Sequence, residues 1–119
     1  MVAAATCLLL VAAGSAFAAE QVFKQLLEID LDGDGKANDS VAILTTATGW
    51  RLVATVHGRQ SVLETQPGSP DGFYVVGKPA GRYGGVRVRH AAFEFGREES
   101  GAQIIYWNGK RWARVQQGD

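Results

Sequence analysis

The sequence predicts a mostly β protein: one small antiparallel domain of about six to eight short strands. Three observations carry this. Short runs of apolar and β-branched residues alternate with polar ones, glycine- and proline-containing turns separate the runs, and one acidic loop, IDLDGDGKANDSV from Ile29 to Val41, interrupts the pattern. Alternation places successive side chains on opposite faces, so one face of each run can bury while the other meets water.

Residues 1–18, MVAAATCLLLVAAGSAFA, carry no charge, hold a central apolar run from Leu8 to Ala13 and end in Ala16-Phe17-Ala18. Small residues at those two alanine positions mark a secretory signal cleaved after Ala18, although the usual basic residue near the start is missing. The apolar run is shorter than the ~20 residues that a stable membrane span needs. The expected location is therefore secreted or periplasmic, with no stable span after cleavage. The only cysteine, Cys7, falls inside this segment, so the remaining domain, 19–119, contains no disulfide and must rely on a core, an ion or both.

Ala19 to Glu28 has apolar residues at Val22, Phe23, Leu26 and Leu27, which fits a short amphipathic N-terminal helix or a strand entering the acidic loop. Ser40 to Thr46 and Trp50 to His57 form a hairpin across Ala47-Thr48-Gly49, with Trp50, Leu52, Ala54 and Val56 on one face. Ser61 to Thr65 is a further strand, and Gln66 to Gly72 is turn chemistry throughout. Phe73 to Val76, Val86 to His90 and Ala92 to Phe95 are short strands, the first two separated by glycine-rich 77–85. Gln103 to Trp107 and Arg111 to Gln116 flank Asn108-Gly109, the dipeptide of a type I′ turn.

The acidic loop carries the most specific chemistry. Three carboxylates at alternate positions repel one another, which makes an empty turn poor design and a bound cation the better reading. Calcium takes six to eight oxygens, drawn from loop positions one, three and five, the carbonyl at seven and a group at nine. Those positions are Asp30, Asp32, Asp34, Lys36 through its carbonyl, and Asn38, with Asp39 one place later as the other candidate to complete the sphere. Gly35 permits the sharp turn. Position twelve is Val41 rather than a bidentate Glu, so the loop is not that of an EF-hand; a dockerin would also need an acidic twelfth residue and a second copy.

Asp30 to Leu44, DLDGDGKANDSVAIL, resembles the calcium loops of FG-GAP and VCBS-type repeats, in which the loop joins two strands of a propeller blade. Together with VRVRHAAFEF and IIYWNGKRWARVQQGD, it is also similar to small secreted bacterial proteins of unknown function. The resemblance implies a structural Ca2+ site and no known activity.

With 12 basic and 12 acidic side chains, net charge calls for neither nucleic acid nor an anionic membrane. His57 and His90 read as strand-face histidines with no acidic cluster beside them in sequence. Ser61, Ser69 and Ser100 lack the context of a nucleophile. Glu94, Glu98 and Glu99 could pair as acid and base only at a separation that sequence does not give. Arg87 and Arg89 share one sheet face, a solvated face that could also grip a carboxylate or phosphate. Trp107 and Trp112 either stabilise the terminal hairpin or contact a partner. The expected function is a non-enzymatic calcium-binding protein with a binding or accessory role. The alternative is recognition or inhibition of an extracellular enzyme or polysaccharide through Arg87/Arg89 or Trp107/Trp112, and a hydrolase is the third reading.

Overall fold

The computed structural model describes residues 20–116, and the expected signal segment, residues 1–18 with Cys7, lies outside them. The described residues form ten strands and no helix: β1 Gln21–Ile29, β2 Asp39–Thr45, β3 Gly49–Val56, β4 Arg59–Pro67, β5 Phe73–Lys78, β6 Gly81–Tyr83, β7 Val86–Val88, β8 Ala92–Arg97, β9 Gly101–Trp107 and β10 Trp112–Gln116. The mostly β, antiparallel expectation holds, with more strands than the six to eight expected. Two four-stranded sheets, ordered β1-β2-β3-β4 and β10-β9-β8-β5, follow one another across the β4-β5 turn, and a small β6-β7 hairpin is inserted between β5 and β8.

The sheets pack face to face around one core. From the first come Val41 and Ile43 of β2 and Trp50, Leu52, Ala54 and Val56 of β3; from the second, Phe93, Phe95 and Ile105. Antiparallel register sets Val41 opposite Ala54 and Ile43 opposite Leu52, so the apolar rows align. Aromatic rings bridge the layers: Trp50 lies 4.5 Å from Phe73 and 5.9 Å from Phe95, within the range where aromatic pairs attract. The outer face of the second sheet, with Ala92, Ile104, Val115 and Tyr106, packs with Val88 and Tyr83 of the β6-β7 hairpin. Consecutive Ile104 and Ile105 therefore serve different cores. Gly84, at φ 56°, sits where a Cβ would meet Val115 Cγ1 at 2.6 Å, so the β6-β7 turn docks directly on β10.

Several expectations are corrected. The segment read as helix or strand is strand β1, and its three-residue spacing has a different cause from a helix. Pairing with β2 shifts register between Val22 and Lys24 and between Leu26 and Ile29. Each shift adds a residue to one strand and turns the period of two into three. Phe23, Leu26 and Ile29 thus all face the core while the residues between them are exposed. The Gln66–Gly72 turn begins later than expected, because β4 extends to Pro67, which is tolerable on an edge strand. Residues 77–85 include strand β6, which pairs with β7.

The last hairpin does not turn on Asn108-Gly109 alone. Trp107 pairs with Trp112, leaving the four residues 108–111 as the loop. Gly109 has φ 100°, but Asn108 does not have a positive φ. Instead its Oδ1 accepts the amides of Lys110 and Arg111, each at 2.9 Å. The side chain does what a type I′ backbone would have done.

Candidate metal centre

The acidic loop connects β1 to β2 at one end of the sandwich. Leu31, flanked by two aspartates, is fully buried and plugs into the core. This anchor turns the neighbouring carboxylates outward around a common point. Asp30 Oδ1 accepts the amides of Gly33 at 2.8 Å and Asp34 at 3.1 Å, and its Oδ2 accepts that of Gly35 at 3.0 Å. Asp32 Oδ1 accepts the Asp34 amide at 3.2 Å, and Asp34 Oδ1 accepts that of Lys36 at 2.8 Å. The backbone N–H groups of the loop thus wrap around its own carboxylates.

Asp39, the first residue of β2, is 2% exposed, and Asn38 beside it is exposed. Asp39 Oδ2 accepts the Leu31 amide at 2.9 Å and Oδ1 accepts the His57 amide at 3.4 Å. A carboxylate oxygen of Asp39, one of the two candidates for the far side of the loop, converges on those of Asp30 and Asp32, all three within 4.8 Å of one another.

A second trio, Asp32, Asp34 and His57, meets the same distance. His57 is not on a strand face. It occupies the β3-β4 turn with φ 54°, followed by Gly58 at 72°, the paired positive angles of a tight hairpin. Its Nε2 lies 2.5 Å from Asp32 Oδ2. That oxygen is buried and makes no hydrogen bond, so the imidazole is its close polar partner, an ion pair when His57 is protonated. His90, between β7 and β8, also reaches the loop: a Cβ on Gly33, whose φ is 75°, would collide with its ring at 2.3 Å from Nδ1. Both histidines therefore flank the acidic loop, a convergence from distant segments that spacing could not reveal. The His57-Gly58 dipeptide between two alternating runs was the available signal for the turn.

Electrostatics follows from this crowding. Desolvation pushes the Asp32 carboxyl up; the Asp34 amide opposes it, while the hydrogen bond to Asp30 and the charges of Asp39 and Asp34 add to the rise. For Asp30, desolvation also acts upward, but the amides of Gly35, Gly33 and Asp34 and the hydrogen bond with Asp32 together hold it below the usual range. One carboxylate is stabilised by N–H groups and its neighbour is disfavoured as an anion. A divalent cation would relieve that conflict. Lys36, at position seven of the loop pattern, is exposed.

The other candidates sit elsewhere. Trp107 and Trp112 are cross-strand neighbours with ring centroids 5.4 Å apart, and Trp112 also meets Phe93 at 6.2 Å. With Val56, His57, Arg59 and Ser61 they line a concavity of about 240 Å³. Arg87 and Arg89 are exposed and line a different one with Ala80, Gly81 and Val88. Glu94 is engaged by the Tyr74 hydroxyl at 2.7 Å and Lys78 Nζ at 3.3 Å. Among the described residues no helix is long and apolar enough to cross a membrane. Comparison with protein-family models, curated proteins and solved structures finds no match to this chain.

Proposed function

We propose that this chain is a secreted or periplasmic, non-enzymatic calcium-binding β protein in which the ion serves the fold and the protein acts by binding. The observation that carries this reading is the convergence of the Asp30, Asp32 and Asp39 carboxylates, with Asp32 Oδ2 buried, making no hydrogen bond and met only by His57 Nε2. A buried anion is costly unless paired or metal-bound. Asp30, Asp32, Asp34, Asp39 and the Lys36 carbonyl would hold the ion, with Asn38 at the exposed rim. Sites of extracellular modules commonly bind calcium with Kd of about 0.1–1 mM. Occupation would tie the end of β1 to the start of β2 and stabilise the folded state by mass action. Calorimetric titration of calcium into the ion-free protein, with thermal melts of both forms, tests this. Saturable heat and a raised Tm, both lost in Asp32→Ala, are expected; no heat and no shift would overturn it.

A second reading, recognition of a polysaccharide or extracellular protein, is favoured at Trp107 and Trp112 by the concavity they form with Arg59 and Ser61. Aromatic faces beside polar groups suit sugar rings and peptide side chains. Binding to a panel of polysaccharides, lost in Trp107→Ala, would support it; a saturable partner unaffected by that change would point away from this face.

A further inference from the structure

We infer that the outward face of the β6-β7 hairpin, carrying Arg82, Arg87 and Arg89, docks the carboxylate groups of an acidic polysaccharide. The inference does not depend on the calcium reading, and this surface is distinct from the Trp107/Trp112 concavity. The hairpin is amphipathic: Val88 is 2% exposed and packs with Tyr83 against the second sheet, so the strand positions facing the other way hold Arg82 and Arg87. Register sets these two directly opposite one another. Cross-strand partners have Cβ atoms about 4.5–5.5 Å apart, and like charges placed so destabilise the pairing. Arg89, two residues beyond Arg87, is exposed and lines the same concavity as Arg87. Among the described residues no carboxylate pairs with any of the three, since the ion pairs use Arg51, His57, Lys78 and Arg114. Charge on an edge strand also deters association with other sheets, but opposite charges facing one another would do that without repulsion. An opposed arginine pair gains from an anion that bridges it.

The platform is fixed before any partner arrives. The Tyr83 hydroxyl donates to the Pro79 carbonyl at 2.6 Å, Arg82 Nη1 donates to the Gly85 carbonyl at 3.1 Å, and Gly84 closes directly on Val115. Such preorganisation lowers the cost of ordering on binding. All three cations are arginines, whose planar fork meets a carboxylate with two parallel N–H···O bonds where lysine offers a point charge. Ala80, Gly81 and Val88 complete a concavity of about 430 Å³ with Arg87 and Arg89, which leaves room for a sugar ring beside the guanidinium groups. A polymer that repeats its carboxylate can engage neighbouring arginines at once. A lipid surface is the poorer match. The concavity recedes from a flat bilayer, and Val86, the exposed apolar residue of the hairpin, shares the inward side with Tyr83, its cross-strand partner. With 12 basic and 12 acidic side chains, net charge supplies no long-range attraction to an anionic membrane or to nucleic acid.

The test titrates short oligogalacturonates into the full chain by calorimetry, in calcium and in chelator, at about 0.15 M salt. The same sugars with their carboxylates methyl-esterified, and vesicles containing phosphatidylglycerol, are the comparison ligands. Saturable binding of the free acid is expected under both ionic conditions, with none of the ester. Arg87→Gln and Arg89→Gln should each weaken it by roughly tenfold, the scale of one charge-assisted pair. Trp107→Ala should leave it unchanged. Arg87→Gln should melt no lower than wild type, because the opposed charge is gone; Arg89→Gln lies outside the opposed pair and tests the surface independently of that effect. No binding, equal binding of acid and ester, or unchanged affinity in both arginine variants would overturn the inference. Binding lost in Trp107→Ala alone would assign the sugar to the tryptophan face, and binding confined to calcium would assign it to an ion bridge at the acidic loop; either overturns the arginine surface. Arginine-dependent binding to the vesicles with none to the sugar would make the partner a lipid surface instead. Calcium heat is read separately, so each of these failures is distinct from failure of the calcium reading.

Discussion

Asp39 Oδ2 accepts the Leu31 amide at 2.9 Å, so a buried carboxylate on the first residue of β2 holds the entry of the acidic loop across eight residues of chain. Its other oxygen takes the His57 amide. One side chain thereby fastens the loop to the β3-β4 turn, and does so with or without an ion. Asp34 is exposed and bonds only within the loop through the Lys36 amide. Asp39→Ala should therefore lower stability by about 1–3 kcal/mol even in chelator, because it strands buried donors, and by more in calcium, because it also removes a carboxylate that would hold the ion. Asp34→Ala should reduce stability in calcium and change little in chelator. Denaturant unfolding under both conditions checks the contrast; identical profiles for the two variants would refute it.

Gly33 and Gly35 separate backbone strain from collision. Both have φ in the left-handed region, 75° and 86°, but only Gly33 faces an obstacle, the His90 ring. Gly35→Ala should cost roughly 1–2 kcal/mol for its backbone alone. Gly33→Ala should cost more. Adding His90→Ala should recover part of the Gly33→Ala loss and none of the Gly35→Ala loss, as a double-mutant cycle would show. Independent, additive effects at Gly33 and His90 would mean that the ring moves aside freely.

The fold was legible wherever alternation was undisturbed. Trp50, Leu52, Ala54 and Val56 follow a period of two because β3 lies inside its sheet and one face is fully covered. β1 defeated the same reasoning because two bulges reset its phase, leaving Phe23, Leu26 and Ile29 at a spacing that also belongs to a helix. In the site, the local part was readable: Asp30, Asp32 and Asp34 are close in sequence and must be close in space. The burial of Asp39 beside the exposed Asn38 was not readable, since it depends on which side chain the Leu31 amide can reach. His57 and His90 arrive from separate hairpins, and no local pattern encodes that meeting.

Tyr74 gives a prediction for alkaline pH. Its hydroxyl donates to Glu94 Oε2 at 2.7 Å, and that hydrogen bond, with desolvation and the charges of Glu94 and Glu98, pushes the phenol up to about 12 from 10.0. A group whose folded pKa is raised binds its proton more tightly when folded. Its stabilising contribution is complete below pH 10.0 and is lost as pH rises toward about 12. Wild type should thus lose stability across that interval more steeply than Tyr74→Phe, which cannot ionise. Denaturant midpoints measured along the pH series test this, and parallel curves would show that the Tyr74–Glu94 bond does not bias the titration.

The terminal hairpin offers a test of how its turn is made. Asn108 contributes a side-chain oxygen rather than a positive φ: Oδ1 accepts from Lys110 and Arg111, while its own amide donates to the Arg111 carbonyl at 3.1 Å. Asp supplies the same acceptor geometry and Ala supplies none. If the acceptor matters, Asn108→Asp should be near neutral and Asn108→Ala should cost about 1 kcal/mol, the net scale of an intramolecular hydrogen bond. Gly109→Ala should also destabilise, because φ at that position is 100°. A loosened hairpin would disturb the Trp107–Trp112 edge contact, so tryptophan near-ultraviolet circular dichroism should weaken in Asn108→Ala alongside the stability loss. Loss of stability in Asn108→Asp equal to that in Asn108→Ala would instead place the requirement on the amide nitrogen of the Asn108 side chain.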